Sequence, residues 1–346
     1  MTLSVRQADL DQDRQIIIEF LYQSLTRQSD SKRFEWLYEK NPHGAARVWL
    51  AIDSRRDMIV GTAAAFPRVM QVSGKDVICW NLGDFAIDRN FRSLGPGILL
   101  QKACLGPVLK GEIPFFYDHP SDSMMAIYKR LGISESGWVQ RFAKPLRIDQ
   151  KLENLFVKGV ITRGVGKVGN WLLEVRDHRI CYKHHYDVAI HDGYFSEEFT
   201  DLDKRVSRRY RVCGRRTAEY LNWRYSENPL SRYQVLTVRN QGELRAYAIF
   251  VCTERSAILV DFFGEEEPGI PGTILSAVTD ILRKGGVFTL SIPVLEFSVL
   301  IPIMKRCHFY PRERAPFIVG TQQGGHFDGL VTNIENWFLT HGDRDI

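Results

Sequence analysis

The stretch that decides the fold is CWNLGDFAIDRNFRSLGPGILLQKACL, which runs from Cys79 to Leu105. It opens as an apolar strand, passes through a polar turn with Arg92, Gly95 and Gly97, and continues as a helix with Pro96 in its first turn. Glycines let backbone N–H groups approach a ligand closely, and the N-terminus of a helix carries partial positive charge. The stretch therefore predicts a strand–turn–helix unit with an anion site suited to a diphosphate, where Arg92 adds a charged contact.

The segments after this unit extend the pattern. A strand-like PFFYDH (Pro114 to His119) is followed by a helical SDSMMAIYKRLGI (Ser121 to Ile133). With these flanks, the turn resembles the R/Q-x-x-G-x-G/A acyl-CoA loop of the GNAT acyltransferase superfamily. Three positions depart from the family pattern: Pro96 has no N–H to offer, Ser121 stands where asparagine is common, and Ile133 replaces the usual terminal phenylalanine.

The resemblance implies acyl-CoA as the cofactor, with acetyl-CoA as the expected form. It implies cofactor-binding positions in the strand and in the turn: Phe85, Ala86, Ile87, Arg92, Ser93, Leu94, Gly95, Gly97 and Ile98. Tyr128 occupies the position of the family's proton donor to the departing thiolate. The other interpretation of Tyr128 is an aromatic residue in the core of a helix.

An amine that attacks a thioester must also lose a proton. Three residues near predicted strand ends are candidates for the base: Asp84, Asp118 and His119. Imidazole titrates near neutral pH, and burial can raise the pKa of a carboxyl group towards it. Strand-end capping, with water relaying the proton and no dedicated base, is the alternative that the sequence leaves open.

The chain repeats itself. WLYEKNP at residues 36–42 and WRYSENP at 223–229 share four residues, each 187 positions apart. Each copy continues into two strand-like runs, a third strand ending near an aspartate (Asp84 or Asp261), a helix that opens on a Gly-Pro turn or on Ile-Pro-Gly, and a further strand and helix. Six features in the same order predict an internal duplication.

We therefore expect an α/β fold of the mixed α+β type, with two GNAT-like domains in tandem and the second one degenerate. The predicted limits are 1–148 for the first domain, 149–195 for a connector that matches neither copy, and 196–346 for the second domain. The second copy has Glu265, Glu266 and Glu267 where the first has its turn, and three carboxylates disfavour a diphosphate. One cofactor, bound by the first copy, is expected.

Two signals lie in the predicted connector. Gly164 to Gly169 matches GxGxxG, but apolar residues recur there at helical spacing: Val157, Ile161, Val165, Val168, Leu172 and Val175. We expect a helix packed on the protein, the alternative being a basic amphipathic helix on a membrane surface. Four histidines and one cysteine, residue types that can bind metal ions, also cluster here at a spacing that fits no structural zinc site: His178, Cys181, His184, His185 and His191. No metal is predicted.

A basic cluster precedes the second repeat. Its members lie within thirteen residues: Lys204, Arg205, Arg208, Arg209, Arg211, Arg215 and Arg216. One interpretation is a solvated helix face, and the other is a binding site for an anionic acceptor or an acidic carrier protein. No nucleic-acid-binding module, GxSxG elbow or GxxxxGK loop is present, so nucleic-acid binding, serine hydrolysis and P-loop chemistry are not expected.

Composition agrees with a folded protein. The 346 residues are 44% hydrophobic and 25% charged with a net charge of +5, which excludes wholesale disorder. No apolar run is long enough to span a bilayer, the N-terminus lacks a signal-like apolar core, and six separated cysteines form no CxxC. A cytoplasmic protein with reduced thiols is expected.

Together these features predict an acyl-CoA-dependent N-acyltransferase, most simply an N-acetyltransferase. Its expected partner is a small amine such as an amino sugar or a cell-envelope precursor, and an acyl carrier protein is an alternative donor. Two other functions stay open: a non-catalytic binding or scaffold protein that retains the fold, and a Fem-type aminoacyltransferase, against which the CoA-type turn argues.

Overall fold

The computed structural model describes residues 3–92, 94–149, 160–178, 186–267 and 269–344. Its strands are β1 (Leu3–Gln7), β2 (Arg47–Asp53), β3 (Met58–Val72), β4 (Lys75–Ile87), β5 (Phe115–Asp118), β6 (Gly137–Pro145), β7 (Asp187–His191), β8 (Val212–Gly214), β9 (Tyr233–Asn240), β10 (Glu243–Cys252), β11 (Ser256–Gly264), β12 (Thr289–Leu295), β13 (Tyr310–Thr321) and β14 (Trp337–Phe338). Its α-helices are α1 (Arg14–Ser24), α2 (Ser31–Phe34), α3 (Leu94–Leu109), α4 (Asp122–Arg130), α5 (Val160–His178), α6 (Glu197–Ser207), α7 (Ala218–Leu221), α8 (Ile270–Lys284) and α9 (Ile301–Arg306).

The strands form one hydrogen-bonded path. Its order is β1-β2-β3-β4-β5-β13-β6-β12-β11-β10-β9-β7, and β8 pairs with both β3 and β14. Neighbours are antiparallel except for β4–β5, β11–β12 and β8–β14, which are parallel. The predicted mixed sheet of the α/β class is confirmed.

The two ends of this path repeat each other. The first copy is an antiparallel run, β1-β2-β3-β4, followed by the parallel strand β5; the second is β7-β9-β10-β11 followed by β12. In each copy the WxY element lies on a π-helical turn, Glu35–Glu39 or Asn222–Ser226. Trp36 Nε1 donates to the carbonyl of Trp223 at 2.7 Å, and Trp223 Nε1 donates to that of Trp36 at 2.8 Å. The predicted duplication is therefore visible in the structure, and the repeats meet through reciprocal contacts.

The last strand of each copy pairs with the other copy. β6, at the end of the first, pairs with β12, and β13, at the end of the second, pairs with β5 and β6. The two copies therefore share one sheet, and the limits 1–148 and 196–346 remain a prediction.

Two expectations for the connector need correction. β7 pairs with β9 as β1 pairs with β2, so Asp187–His191 matches the first copy although we expected no match. LSVRQ and DVAIH share no residue in register, so the sequence concealed this correspondence. The helix α5 forms as expected, but Val168 and Leu172 of its apolar stripe are exposed, not packed on the protein. Val157 lies outside the described residues. No helix in the described ranges is long and apolar enough to cross a bilayer.

Two layers of helices cover the first copy's sheet. On one face α3 and α4 pack against β2 to β5, with Leu100, Trp80 and Phe116 in the core. On the other face α1, α2 and the first π-helical turn pack around Leu50 and Phe66. Helix α3 begins at Leu94, which puts Gly95, Pro96 and Gly97 in its first turn. This arrangement directs the N-terminus of α3 towards the end of β4.

Candidate active site

A cavity of about 910 Å³ lies in the first copy where β4 and β5 separate. The two strands pair only at Trp80–Phe116 and Asn81–Tyr117, so the β5-facing edge of β4 is unpaired by β5 from Leu82 onward. Residues on both faces of the sheet line the cavity, which therefore passes through the gap between the strands. One end meets α3 and α4, and the other meets the α1–α2 loop, Leu230 and Arg344.

A bulge in β4 shapes this gap. The register with β3 shifts between Thr62 and Ala64, and Asp84, in the bulge, has a φ of +45°. The left-handed region is unfavourable for a residue with a side chain, so the neighbours must hold it there. Arg33 donates to both oxygens of Asp84 at 2.8 and 2.7 Å, and the Tyr38 hydroxyl donates to Oδ2 at 2.5 Å.

This buried network keeps Arg33 and Tyr38 protonated. Burial lowers the pKa of Arg33, but the Asp84 carboxylate outweighs burial and raises it above its usual value. Burial, followed by Asp84, raises the pKa of Tyr38 well above its usual range. Both groups therefore remain donors, and both Asp84 oxygens are occupied. This geometry suits Asp84 as an anchor for the bulge better than as the catalytic base, the role for which it was a candidate.

The second copy contains the same network. Arg216 Nε lies 3.1 Å from Asp261 Oδ2, and the Tyr225 hydroxyl lies 3.4 Å from the same oxygen. Asp84 and Tyr38 aligned with Asp261 and Tyr225 in sequence, but the arginines were missed. Arg33 and Arg216 did not align in the sequence because they precede the WxY element by different numbers of residues, and Arg216 was assigned to the basic cluster. Arg216 is 1% exposed, so a solvated helix face is wrong for this residue.

The chain's own C-terminal segment fills the corresponding cleft of the second copy. Thr340 Oγ1 donates to Asp261 Oδ1 at 2.9 Å, and Asp343 accepts from Arg216 at 2.6 Å. A Cβ on Gly342 would lie 2.1 Å from the Tyr225 hydroxyl, which shows how closely this segment is packed. Glu265, in the turn predicted to repel a diphosphate, accepts hydrogen bonds from two arginines, Arg205 and Arg245.

The predicted cofactor-binding residues fall into three groups. Five line the cavity: Phe85, Ala86, Ile87, Arg92 and Gly97. Gly95 and Ile98 lie in the same turn of α3 but do not line it. Leu94 is the first residue of α3, and Ser93 lies outside the described residues. The first N–H groups of a helix have no acceptor within the helix, so those of this turn are available to an anion.

Gly97 also allows two helices to pack closely. A Cβ at this position would lie 2.7 Å from Ile127 Cδ1 on α4 and 3.6 Å from Phe85 Cζ on β4. The glycine predicted for phosphate contact therefore also brings the start of α3 close to the cavity wall.

The predicted catalytic residues are not all at the cavity surface. Asp118 and His119 line it, whereas Tyr128 is fully buried behind it. The Tyr128 hydroxyl donates to Asp118 Oδ2 at 2.5 Å and accepts from Gln101 Nε2 at 3.1 Å. Gln101 itself lines the cavity and was not anticipated from the sequence.

His119 is the neutral base-like group of the site. Burial, reinforced by Arg344 and His341, lowers its pKa well below the usual value. Its Nε2 is buried and has no hydrogen-bond partner among the described residues. His119 therefore combines a neutral imidazole that has an unpartnered nitrogen with a place in the cavity wall.

Solved structures with similar folds are acyltransferases by their descriptions, although no protein-family model and no curated protein matches the sequence. A probable N-acyltransferase from Enterococcus faecalis V583 superimposes with a TM-score of 0.66 at 11% identity, over 97% of this chain and 75% of that one. A GCN5-related N-acetyltransferase from Anabaena variabilis gives 0.64 at 11% identity, over 92% and 72%. The Saccharomyces cerevisiae N-myristoyltransferase with bound myristoyl-CoA gives 0.58 at 12% identity, over 92% and 79%. The chain therefore has the fold of the GNAT superfamily, present as two related copies, and among the described residues this open cleft lies in the first copy.

Proposed function

We propose that the chain is an acyl-CoA-dependent N-acyltransferase with one active site, located in the first copy. The proposal rests on one observation: a cavity runs from the N-terminus of α3 through the gap between β4 and β5. The segment from Thr340 to Asp343 occupies the equivalent place in the second copy. Similar folds in an N-acetyltransferase and in an N-myristoyltransferase with myristoyl-CoA support acyl-CoA as the donor.

The donor would lie along one wall of the cavity. The N–H groups of Leu94, Gly95 and Gly97 and the Arg92 guanidinium would bind the diphosphate. Pro96 has no N–H, so one backbone contact is absent from the turn. The open edge of β4 at 85–87 would pair with the pantetheine amides as an added strand does, and would bring the thioester into the gap.

His119 would receive the proton of the attacking amine. When the neutral amine nitrogen bonds to the thioester carbon, that nitrogen gains positive charge and becomes strongly acidic. A weak, neutral base then suffices to take the proton, and the lowered pKa of His119 keeps it neutral at physiological pH. The C–S bond breaks as the tetrahedral intermediate collapses, and the thiolate leaves with a proton from a donor or from water.

Tyr128 stays our candidate for this proton donor, and its hydrogen bonds to Asp118 and Gln101 determine how its proton could reach the thiolate. Its hydroxyl already donates to Asp118, so the proton would reach the thiolate only after that hydrogen bond is exchanged. Asp118 and Gln101 would position Tyr128 and connect it to the cavity.

The acceptor would enter from the opposite end of the cavity. The loop after α1 brings Ser24, Thr26 and Gln28 to this end, and the second copy contributes Leu230. Hydroxyl and amide side chains suit a hydroxylated amine such as an amino sugar. The volume of about 910 Å³ is at the upper end for small-molecule sites, so acetyl-CoA and longer acyl-CoA molecules are both to be tested as donors.

Release of free thiol from acetyl-CoA in the presence of a panel of amines and amino sugars tests the activity. Arg92→Glu should weaken acetyl-CoA binding by about tenfold or more, because a charged contact to phosphate is lost and repulsion is added. Arg89→Glu is the matched control, since it makes the same charge change three residues earlier at an exposed position off the cavity wall. Equal binding by both variants would contradict the proposed diphosphate site.

Two rival functions predict other results. Binding of acetyl-CoA without thiol release under any amine would favour a scaffold that retains the fold. Acyl transfer that depends on charged tRNA would favour the Fem-type activity.

A further inference from the structure

The C-terminal segment that fills the second cleft continues into the cavity of the first copy. The Tyr117 hydroxyl donates to the carbonyl of Asp343 at 2.8 Å, and Asn81 Nδ2 donates to the same carbonyl at 3.3 Å. Asn81 and Tyr117 form the last pair between β4 and β5 before these strands separate. The next residue of the chain, Arg344, therefore lies where the gap opens, and it lines the cavity.

Buried contacts hold the backbone at Arg344 in place. The Asp343 carboxylate lies between two guanidinium groups, 2.6 Å from that of Arg216 and 3.0 Å from that of Arg68, and these three side chains are no more than 4% exposed. Arg224 Nη2 donates to the carbonyl of Arg344 itself at 2.7 Å. The main chain is thus fixed at 343 and 344, whereas the Arg344 side chain is exposed and can reach a ligand.

This end of the cavity attracts negative charge. Arg344 is close enough to His119 for its positive charge, after burial, to lower the pKa of that imidazole. Arg224 is only 6% exposed, and no carboxylate of the described residues pairs with it. The two carboxylates that line the cavity, Asp84 and Asp118, already accept hydrogen bonds within the protein. An anionic group that enters beside His119 would therefore be stabilised by the neighbouring guanidinium groups.

We propose that Arg344 binds an anionic group of the acceptor, so that the substrate is an amine that carries a carboxylate or a phosphate. The inference rests on the proposed acyl transfer and narrows its acceptor. A guanidinium matches either anion with two parallel hydrogen bonds. With the anion on Arg344, the amine of the same molecule would lie towards His119, and Ser24, Thr26 and Gln28 would contact the rest of the acceptor.

Matched pairs of amines that differ in the anionic group test this inference. Glucosamine 6-phosphate is compared with glucosamine, and serine with serinamide, so that the two pairs distinguish phosphate from carboxylate. Isothermal titration calorimetry measures binding of each amine to the full chain at saturating CoA, and thiol release from acetyl-CoA is measured in parallel. We expect the anionic member of at least one pair to bind about tenfold or more tightly than its neutral counterpart.

Substitutions of Arg344 assign this preference to its side chain. Arg344→Gln should weaken binding of the anionic amine about tenfold and change that of the neutral amine less than about twofold, and Arg344→Lys should retain part of the preference. Arg312→Gln is the matched control, because it removes the same charge at an exposed position on β13, off the cavity wall. This control should bind both amines like the wild type, and all three variants should keep the wild-type melting temperature.

The two readouts separate this inference from the acyl transfer on which it rests. Equal binding within both pairs, or a preference that Arg344→Gln leaves unchanged, would overturn the role of Arg344 even where thiol is released. A preference that Arg344→Gln abolishes, without thiol release from any amine, would support the anion site and contradict the acyl transfer.

Discussion

Replacing Arg33 by methionine should destabilise the chain more than most single substitutions do. The change removes two of the three hydrogen bonds to Asp84 and leaves a carboxylate without its cation, although both side chains are only 3% exposed. Removing one partner of a buried ion pair costs about 3–5 kcal/mol in the free energy of unfolding. The bulge should also relax, because Asp84 would lose what holds its φ of +45°.

Urea unfolding measures this loss, and two further variants define its cause. Arg14→Met makes the same substitution nearby, in an ion pair with Glu39 that is 38% and 29% exposed, and should cost less than about 1 kcal/mol. In an Asp84→Asn background, Arg33→Met should cost less than half as much, because no buried charge is left unpaired. A loss below about 1 kcal/mol for Arg33→Met, or an unchanged loss in the Asp84→Asn background, would refute the reasoning.

Three more predictions follow from the duplicated architecture and from the half-buried His43. Trp36→Phe and Trp223→Phe should each lower the free energy of unfolding by about 1–3 kcal/mol, because each variant loses one of the two reciprocal hydrogen bonds and leaves a buried carbonyl without its donor. If urea unfolding showed a large loss for one variant and none for the other, the symmetric contact would be contradicted. Gly342→Ala should lower the melting temperature, because the added Cβ would lie 2.1 Å from the Tyr225 hydroxyl, and adding Tyr225→Phe to this variant should partly restore the melting temperature. An unchanged melting temperature for Gly342→Ala would show that the segment from Thr340 to Asp343 is loosely packed. Partial burial, followed by Arg68, lowers the pKa of His43 to about 2, so the folded state binds this proton less readily than the unfolded state and stability should fall as pH drops below about 6.5. His43→Gln should make the dependence of urea-unfolding free energy on pH less steep, and an unchanged slope would contradict a neutral His43 in the folded state.

The sequence predicts those parts of the fold that local patterns encode. The strand–turn–helix unit at 79–105 and the repeated WxYxxNP both specify short segments, and both are correct in the structure. The exchange of β6 and β13 between the copies was not predicted, because strand pairing over such separations leaves no local pattern. The equivalence of β7 and β1 was missed because the two strands share no residue in register.

The residues of the candidate site likewise divide into those that a local sequence pattern indicates and those that depend on distant partners. Asp118, His119 and Arg92 were found because they flank predicted strand and helix ends, and the structure brings them to one cavity. Arg33 was missed because its role depends on a partner 51 residues away. We also did not predict that Thr340 to Asp343 fill the second cleft, because no pattern in the sequence of this segment indicates which surface it contacts.

A crystal structure of the chain grown with CoA tests the central claim most directly. The account predicts one CoA per chain, with its diphosphate on the backbone amides of Leu94, Gly95 and Gly97 and near Arg92, and with its thiol in the gap between β4 and β5. A diphosphate at the start of α8, near Gly272, would contradict the account, and so would a first cleft that stays empty at saturating CoA.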